Sequence, residues 1–331
     1  LHATRAIAAA SSGNYFEKNM ATKVLITGAA GLLGYDLWNV FSKIGEYEVY
    51  CLGRKPYDTN ISFIPKERWI CCDITRLEDL YNKITKFNPD FVIHTAAISN
   101  VDECESEPDL AYKVNALGTR NVAIACARFD TICVYLSTDY VFDGENPPLY
   151  GYREYDIPNP INIYGKSKYL GECMVRSFLT KYYIIRTSWL FGQRRQTFVD
   201  TLIKEISTKR EIKVANDQIS IPTYTKDLAY AISSLIKRPS YGIYHITNSC
   251  LNRNRRGTTR YEMANFIRKV LNKEKEVNII PITMDSLRLP AKRPKNTALD
   301  NYFWLLDGFD ELRPWEEALE EYISAKYNYK I

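Results

Sequence analysis

The most restrictive segment of this chain is a short apolar run, residues 24–27, that leads straight into Gly28-Ala29-Ala30-Gly31-Leu32-Leu33-Gly34 and then into an amphipathic stretch, residues 32–44. A strand that turns through spaced glycines into a helix has few folds open to it. Gly28 allows a sharp turn, Gly31 lets the backbone approach a ligand, and Gly34 lets the new helix pack closely on its strand. Free N–H groups and the helix dipole at such a turn favour an anion. Gly28, Ala30, Gly31, Leu32, Leu33 and Gly34 are therefore expected to cradle the pyrophosphate of a dinucleotide.

The same alternation continues. Apolar runs at residues 48–52, 69–72, 91–94, 132–137 and 183–186 are separated by amphipathic stretches at 77–87, 108–129 and 164–180. Strands that are apolar throughout are buried on both faces, so the pattern predicts an α/β fold: a doubly wound parallel sheet of the Rossmann type. After about residue 189 the rhythm loosens into a helix (197–208), strand-like pieces (212–215, 243–247), a second helix (259–271) and a proline-marked stretch (281–314). The expected organisation is a dinucleotide-binding domain with the catalytic residues at 20–188. Residues 189–331 then form mainly a smaller mixed substrate-binding lobe, partly interleaved with the sheet. Residues 1–19 start at Leu1, carry one short Ala-rich stretch and are read as an artificially added leader outside the fold.

Composition narrows the function. With 44 Lys+Arg against 39 Asp+Glu in 331 residues, the net charge of +5 argues against a broad basic surface for nucleic acid. No window approaches the roughly 18 apolar residues of a membrane span. The 8 cysteines show no C-x-x-C spacing, and several fall inside apolar runs, which fits a reduced, cytoplasmic protein. Of the 3 histidines, His2 lies in the leader, leaving His94 and His245. A His-rich metal site is excluded, and any proton donor has to be Tyr, Lys, Asp, Glu or Cys.

The type of dinucleotide is read at the end of the second strand, Cys51-Leu52-Gly53-Arg54-Lys55. No acid stands there to hold a ribose 2′-hydroxyl, whereas Arg54 beside Lys55 suits a 2′-phosphate. NADP(H) is the expected cofactor, with NAD(H) as the second candidate. Asp73 and Ile74 follow the third strand and could bracket an adenine. Ala96 and Ala97 follow the fourth, where small side chains let a flat ligand lie close.

Tyr164 and Lys168 are four residues apart and share a helix face. An ammonium near a phenol favours the phenolate, so the Tyr164 pKa is expected below its usual value near 10. Lys168 can also hold a cofactor ribose, which makes Tyr164 and Lys168 cofactor-binding residues as well. Thr138, at the tip of the fifth strand, could donate a hydrogen bond to a ketone oxygen while Tyr164 protonates the alkoxide as it forms.

These stretches, with Val101-Asp102-Glu103-Cys104-Glu105, Ser137-Thr138-Asp139-Tyr140-Val141-Phe142-Asp143-Gly144, Arg186-Thr187-Ser188-Trp189, Asp217-Gln218 and Arg293-Pro294, resemble the extended short-chain dehydrogenase/reductases. Over essentially all of residues 22–323 the chain is most similar to the dTDP-4-dehydrorhamnose reductase family. The resemblance implies reduction of the 4-keto group of a dTDP-4-dehydro-6-deoxyhexose, dTDP-4-dehydro-L-rhamnose giving dTDP-L-rhamnose. It implies Thr138, Tyr164 and Lys168 as the catalytic set, with Tyr140 and Trp189 lining the sugar pocket. Sugar-nucleotide 4,6-dehydratases place Asp-Glu after the Thr; here Asp139 is followed by Tyr140, which argues against dehydration. The GDP-fucose-forming epimerase-reductases use a Cys near this strand, and none closely follows Thr138.

Three departures stand out. Arg54 occupies a position where many relatives carry an acid, and the loop with Arg253, Arg255 and Arg256 is more basic than usual. Glu316, Glu317 and Glu320 follow Trp315 and read as a solvated helix face, so no metal is predicted. A second resemblance, to the regulatory β subunit of methionine adenosyltransferase, implies a non-catalytic dinucleotide-binding partner protein. The aromatic pair Tyr140 and Trp189 weighs against it. Homodimerisation is left open.

Overall fold

The computed structural model describes residues 21–252 and 256–327. The expected leader at 1–19, and Arg253 and Arg255, lie outside the described residues. Seven strands form the central sheet: β1 (Thr22–Thr27), β2 (Tyr47–Gly53), β3 (Trp69–Cys71), β4 (Phe91–His94), β5 (Ile132–Thr138), β6 (Tyr182–Thr187) and an edge strand, Gly242–His245. Their spatial order runs from the edge strand through β6, β5, β4, β1 and β2 to β3. Every pairing is parallel. The order reverses between β1 and β4, which is where such sheets open a crevice for ligands.

Burial on both faces explains the unbroken apolar strands. In β1, Val24 and Ile26 pack with Leu33 and Leu37 of helix α1 (Leu32–Phe41) and with Leu228 and Ile232 of the helix Thr225–Leu235. Leu25, between them in sequence, points the other way and packs with Leu80 and Ile84 of α2 (Leu77–Phe87), with Val122, and with Val175 of the helix Ile163–Phe178. Alternate side chains of one strand thus feed two separate cores.

Several elements differ from expectation, and the helix Thr225–Leu235 and the strand Asn278–Ile282 have no counterpart in the sequence reading. The single helix at 108–129 is α-helical over Pro108–Tyr112, π-helical over Lys113–Gly118 and α-helical again over Thr119–Arg128. In the wider turn the fully buried Asn115 accepts from Ile98 N at 2.8 Å and donates from Nδ2 to Ile98 O and Ser167 Oγ, both at 3.0 Å. Apolar spacing carries no mark of such a turn. The strand at 243–247 begins at Gly242 and joins β6 instead of the smaller lobe, and the preceding helix covers the main sheet.

The smaller lobe has its own core. Helices Phe198–Thr208, Arg260–Val270 and Trp315–Tyr327 pack around the parallel pair Glu211–Ala215 and Asn278–Ile282. Arg293 joins the lobes through a forked contact with Asp102, at 2.5 and 2.6 Å. No described helix is long and apolar enough to cross a membrane.

Candidate active site

The carboxyl ends of β1 to β6 open onto a cleft of about 1060 Å³. Its floor is the glycine turn. Gly28 has φ +68°, and a Cβ there would lie 2.7 Å from Ala96 N, so the turn and its neighbour both require glycine. Gly31 is the N-cap of α1 and no side chain caps the helix, which leaves first-turn amides for a phosphate. Gly34 lies beneath the cleft: its Cβ would stand 2.5 Å from Ala29 Cα, so it serves helix packing. Ala30, Gly31, Leu32, Leu33, Ala96 and Ala97 all line the cleft with Gly28. This bare cradle fits a dinucleotide pyrophosphate.

Arg54 and Lys55 lie exposed at the cleft wall, in a turn pinned by Trp69 Nε1 donating to Lys55 O at 3.1 Å. Asp73 accepts from the Thr75 amide and hydroxyl, both at 2.9 Å. Burial pushes its carboxyl up, but these two bonds and the charges of Arg54 and Arg76 hold it below the usual range. Ile74 offers a buried apolar wall next to it. Arg54, Asp73 and Ile74 therefore fit the 2′-phosphate ribose and base end of NADP.

Thr138, Tyr164 and Lys168 line the same cleft. The helix that carries the last two is capped by Asn162, which accepts from Gly165 N at 2.8 Å. Lys168 Nζ donates to Leu136 O at 2.6 Å and lies 4.2 Å over the Tyr135 ring. Burial lowers its pKa to about 7, opposed chiefly by Glu172 one turn further along the helix. The Tyr164 phenol is raised above its ordinary value, opposite to the sequence expectation. Burial is the main cause; the interaction with Thr138 opposes it, and Asp139, Cys104 and Tyr140 add to it. The ammonium that was expected to lower it faces the Leu136 carbonyl. A phenol that holds its proton is in the state a proton donor needs.

Beyond this set the walls come from both lobes. Tyr140 meets Tyr164 edge-on with ring centres 5.9 Å apart, and Gln218 donates to its hydroxyl at 2.8 Å. Burial raises the Tyr140 phenol to about 12. Trp189 adopts the left-handed φ of +40°, its indole N–H is buried without a partner among the described residues, and Arg260 covers its ring at 4.0 Å. Trp189 thus lines the cleft with a strained backbone and an unspent donor. A second cavity of about 290 Å³ adjoins the cleft, lined by Tyr140, Phe198, Gln218, Arg260, Met284 and Arg293 among others.

Sequence reading missed Asp139, Ser220 and Arg260. Asp139 accepts from Thr138 Oγ1 at 3.1 Å, from Ser220 Oγ at 2.8 Å and from Thr297 Oγ1, and burial raises its carboxyl to about 6. Asp139 was visible within its motif; nothing local marks Ser220 or Arg260. Of the basic loop, Arg256 is spent on structure, with Nε on Leu299 O at 2.8 Å and an ion pair to Asp300 at 2.9 Å. Glu316 accepts from Leu251 N at 3.3 Å, and burial raises its carboxyl.

A parallel sheet with a glycine cradle at its carboxyl edge, a cationic end for a 2′-phosphate and a Thr–Tyr–Lys set facing the same cleft define an NADP-dependent reductase of Rossmann architecture. The chain belongs to the family described as RmlD substrate binding domain, whose model matches residues 22–328. It is similar to the spore coat polysaccharide biosynthesis protein SpsK of Bacillus subtilis, 36% identical, covering 92% of this chain and 98% of that one. It is also similar to a dTDP-4-dehydrorhamnose reductase of Aggregatibacter actinomycetemcomitans, 35% identical over 84% of this chain and 90% of the relative. Among solved structures, dTDP-4-dehydrorhamnose reductase from Bacillus anthracis in complex with NADP matches with TM-score 0.82 and 38% identity, covering 92% of this chain and all of that one. Methionine adenosyltransferase 2 subunit beta of Mus musculus is 31% identical, covering 90% of this chain and 86% of the relative.

Proposed function

We propose that this protein reduces the 4-keto group of a dTDP-4-dehydro-6-deoxyhexose, converting dTDP-4-dehydro-L-rhamnose to dTDP-L-rhamnose. The observation that carries the reading is the meeting of Thr138 and Tyr164 with the Tyr140 and Trp189 rings at the cofactor cleft, beside a second cavity. Bound NADPH supplies the hydride. The Tyr164 phenol gives its proton to the C4 oxygen, and its raised pKa keeps that proton available until the oxygen becomes an alkoxide. The Thr138 hydroxyl, held by the Tyr140 amide at 3.2 Å, turns its single proton from Asp139, which it meets at 3.1 Å, to the same C4 oxygen when the sugar binds. Lys168, on the helix face of Tyr164 and held at the cleft by the Leu136 carbonyl, is placed to hold the cofactor ribose. The aromatic faces of Tyr140 and Trp189 suit the C–H face of a sugar ring. The 8 free thiols suit a reducing compartment such as the cytoplasm.

The test is NADPH oxidation, followed by absorbance, with the 4-keto sugar nucleotide generated in place by a dehydratase and an epimerase. Turnover supports the reading. No oxidation with any of several nucleotide sugars, together with co-purification with a methionine adenosyltransferase, would replace it with the regulatory role that the mouse relative's name suggests.

A further inference from the structure

The cleft and the second cavity share one wall, made of Val101, Tyr140, Phe198 and Arg260. A ligand with its reacting sugar at Tyr164 and its nucleoside in the smaller cavity must pass its linking phosphates along that wall.

The charged side chains lining the smaller cavity are Glu205, Lys213, Arg260 and Arg293. Glu205 pairs with Lys209 at 2.5 Å, Arg293 is held by both oxygens of Asp102, and Lys213 is exposed to solvent. Arg260 is different. Its guanidinium lies between two rings, 4.0 Å from the centre of Trp189 and 4.4 Å from that of Phe198, and no carboxylate among the described residues forms an ion pair with it. The acid whose charge reaches it, Asp139, already accepts three hydroxyl donors. Burial lowers the Arg260 pKa to about 10, with Tyr140 and Asp139 opposing the shift and Arg293 adding to it. Arg260 is only partly exposed, and a cation with restricted access to water and no counterion gains from an incoming anion. Stacking fixes the plane of its fork, which matches phosphate oxygens two at a time.

We propose that Arg260 is the anchor for the diphosphate of a nucleoside diphosphate sugar, seating the sugar against Trp189 and Tyr164. The assignment rests on the sugar-nucleotide reading above. It makes the protein selective for substrates that carry the diphosphate, and it links that grip to the sugar wall because the guanidinium lies on Trp189 itself.

Calorimetric titration of the NADPH-saturated protein with dTDP and with thymidine tests it, in wild type, Arg260→Gln and Arg260→Lys. The expected result is dTDP binding weakened about 10- to 100-fold in Arg260→Gln, in line with the loss of a charge-assisted contact. Thymidine and NADPH affinities should be unchanged, and Arg260→Lys should fall between. If Arg260→Gln does not hold NADPH, the Lys variant and the salt dependence of wild-type dTDP binding decide. Equal dTDP affinity in all three proteins overturns the anchor, and so does wild type binding dTDP no better than thymidine. Wild-type turnover of the sugar nucleotide in either case leaves the proposed function standing. Arg260-dependent dTDP binding without any turnover leaves the anchor standing and removes the function.

Discussion

Arg186 grips Glu172 with both arms, Nε to Oε1 at 3.0 Å and Nη2 to Oε2 at 2.8 Å, and both side chains are at most 2% exposed. Glu172 also accepts from Ser137 Oγ, next to Thr138. The pair thus fastens the helix of Tyr164 and Lys168 to β5 and β6. Removing one partner of a buried pair strands the other charge, so Arg186→Leu should cost about 3–5 kcal/mol. Urea denaturation measures this, and a loss below about 1 kcal/mol would refute it.

Tyr164→Phe deletes the proposed proton donor without touching the glycine cradle. Turnover should fall by about two to four orders of magnitude while NADPH affinity stays within about twofold of wild type. Unchanged turnover in the absorbance assay would sink the role.

Gly165 faces the next prediction. A Cβ there would stand 2.1 Å from Tyr140 O, which cannot yield as a side-chain tip could. Gly165→Ala should push the catalytic helix away from the Tyr140 loop, costing on the order of 1–3 kcal/mol and lowering kcat more than NADPH affinity. Wild-type melting and kcat together would show that the close approach is unimportant.

Glu154 predicts a pH dependence. It is buried, Oε1 accepts from His245 N and Phe303 N, and Oε2 has no partner among the described residues. Burial raises its carboxyl from 4.5 to about 7, so the folded state holds a proton that the unfolded state has released. Its contribution to stability is full below about pH 4.5 and is lost as pH rises through about 7. Glu154→Gln should remove that loss, on the order of 3 kcal/mol, so its stability should fall less than that of wild type between pH 5 and about pH 8. Parallel stability curves over this range would contradict it.

Arg54→Asp replaces the cation at the cleft wall with an acid able to hold a ribose 2′-hydroxyl. The ratio of kcat/KM for NADPH to that for NADH should drop at least about tenfold, the effect of losing one charge-assisted contact. An unchanged ratio from steady-state kinetics would show that Arg54 does not read the 2′-phosphate.

Much of the fold and part of the site were legible in the chain. Val24, Leu25 and Ile26 announce a strand buried on both faces, because a run without polar alternation has no solvent side. Gly28 and Gly34 carry their reasons locally, one in a left-handed turn and the other in a contact with Ala29. Tyr164 and Lys168 share a face because the helical period places them there. The strand Gly242–His245 was misplaced because its run looks the same in either lobe. The π-turn at Asn115 left no mark in the apolar spacing, and the partners of its buried amide, Ile98 and Ser167, lie 17 and 52 residues away.

The sequence by itself determined the alternation of strands and helices up to about residue 189, where the phosphate turn lies and which phenol and ammonium travel together, since each of these is set within a few residues. Only the tertiary structure decided that Asp139 receives Ser220 from 81 residues away and Thr297 from 158, that Arg260 lies on Trp189, and that Tyr164 holds its proton more tightly than a free phenol. Those facts depend on which distant surfaces exclude water together. Burial and pairing across lobes are properties of packing, and local pattern does not encode them.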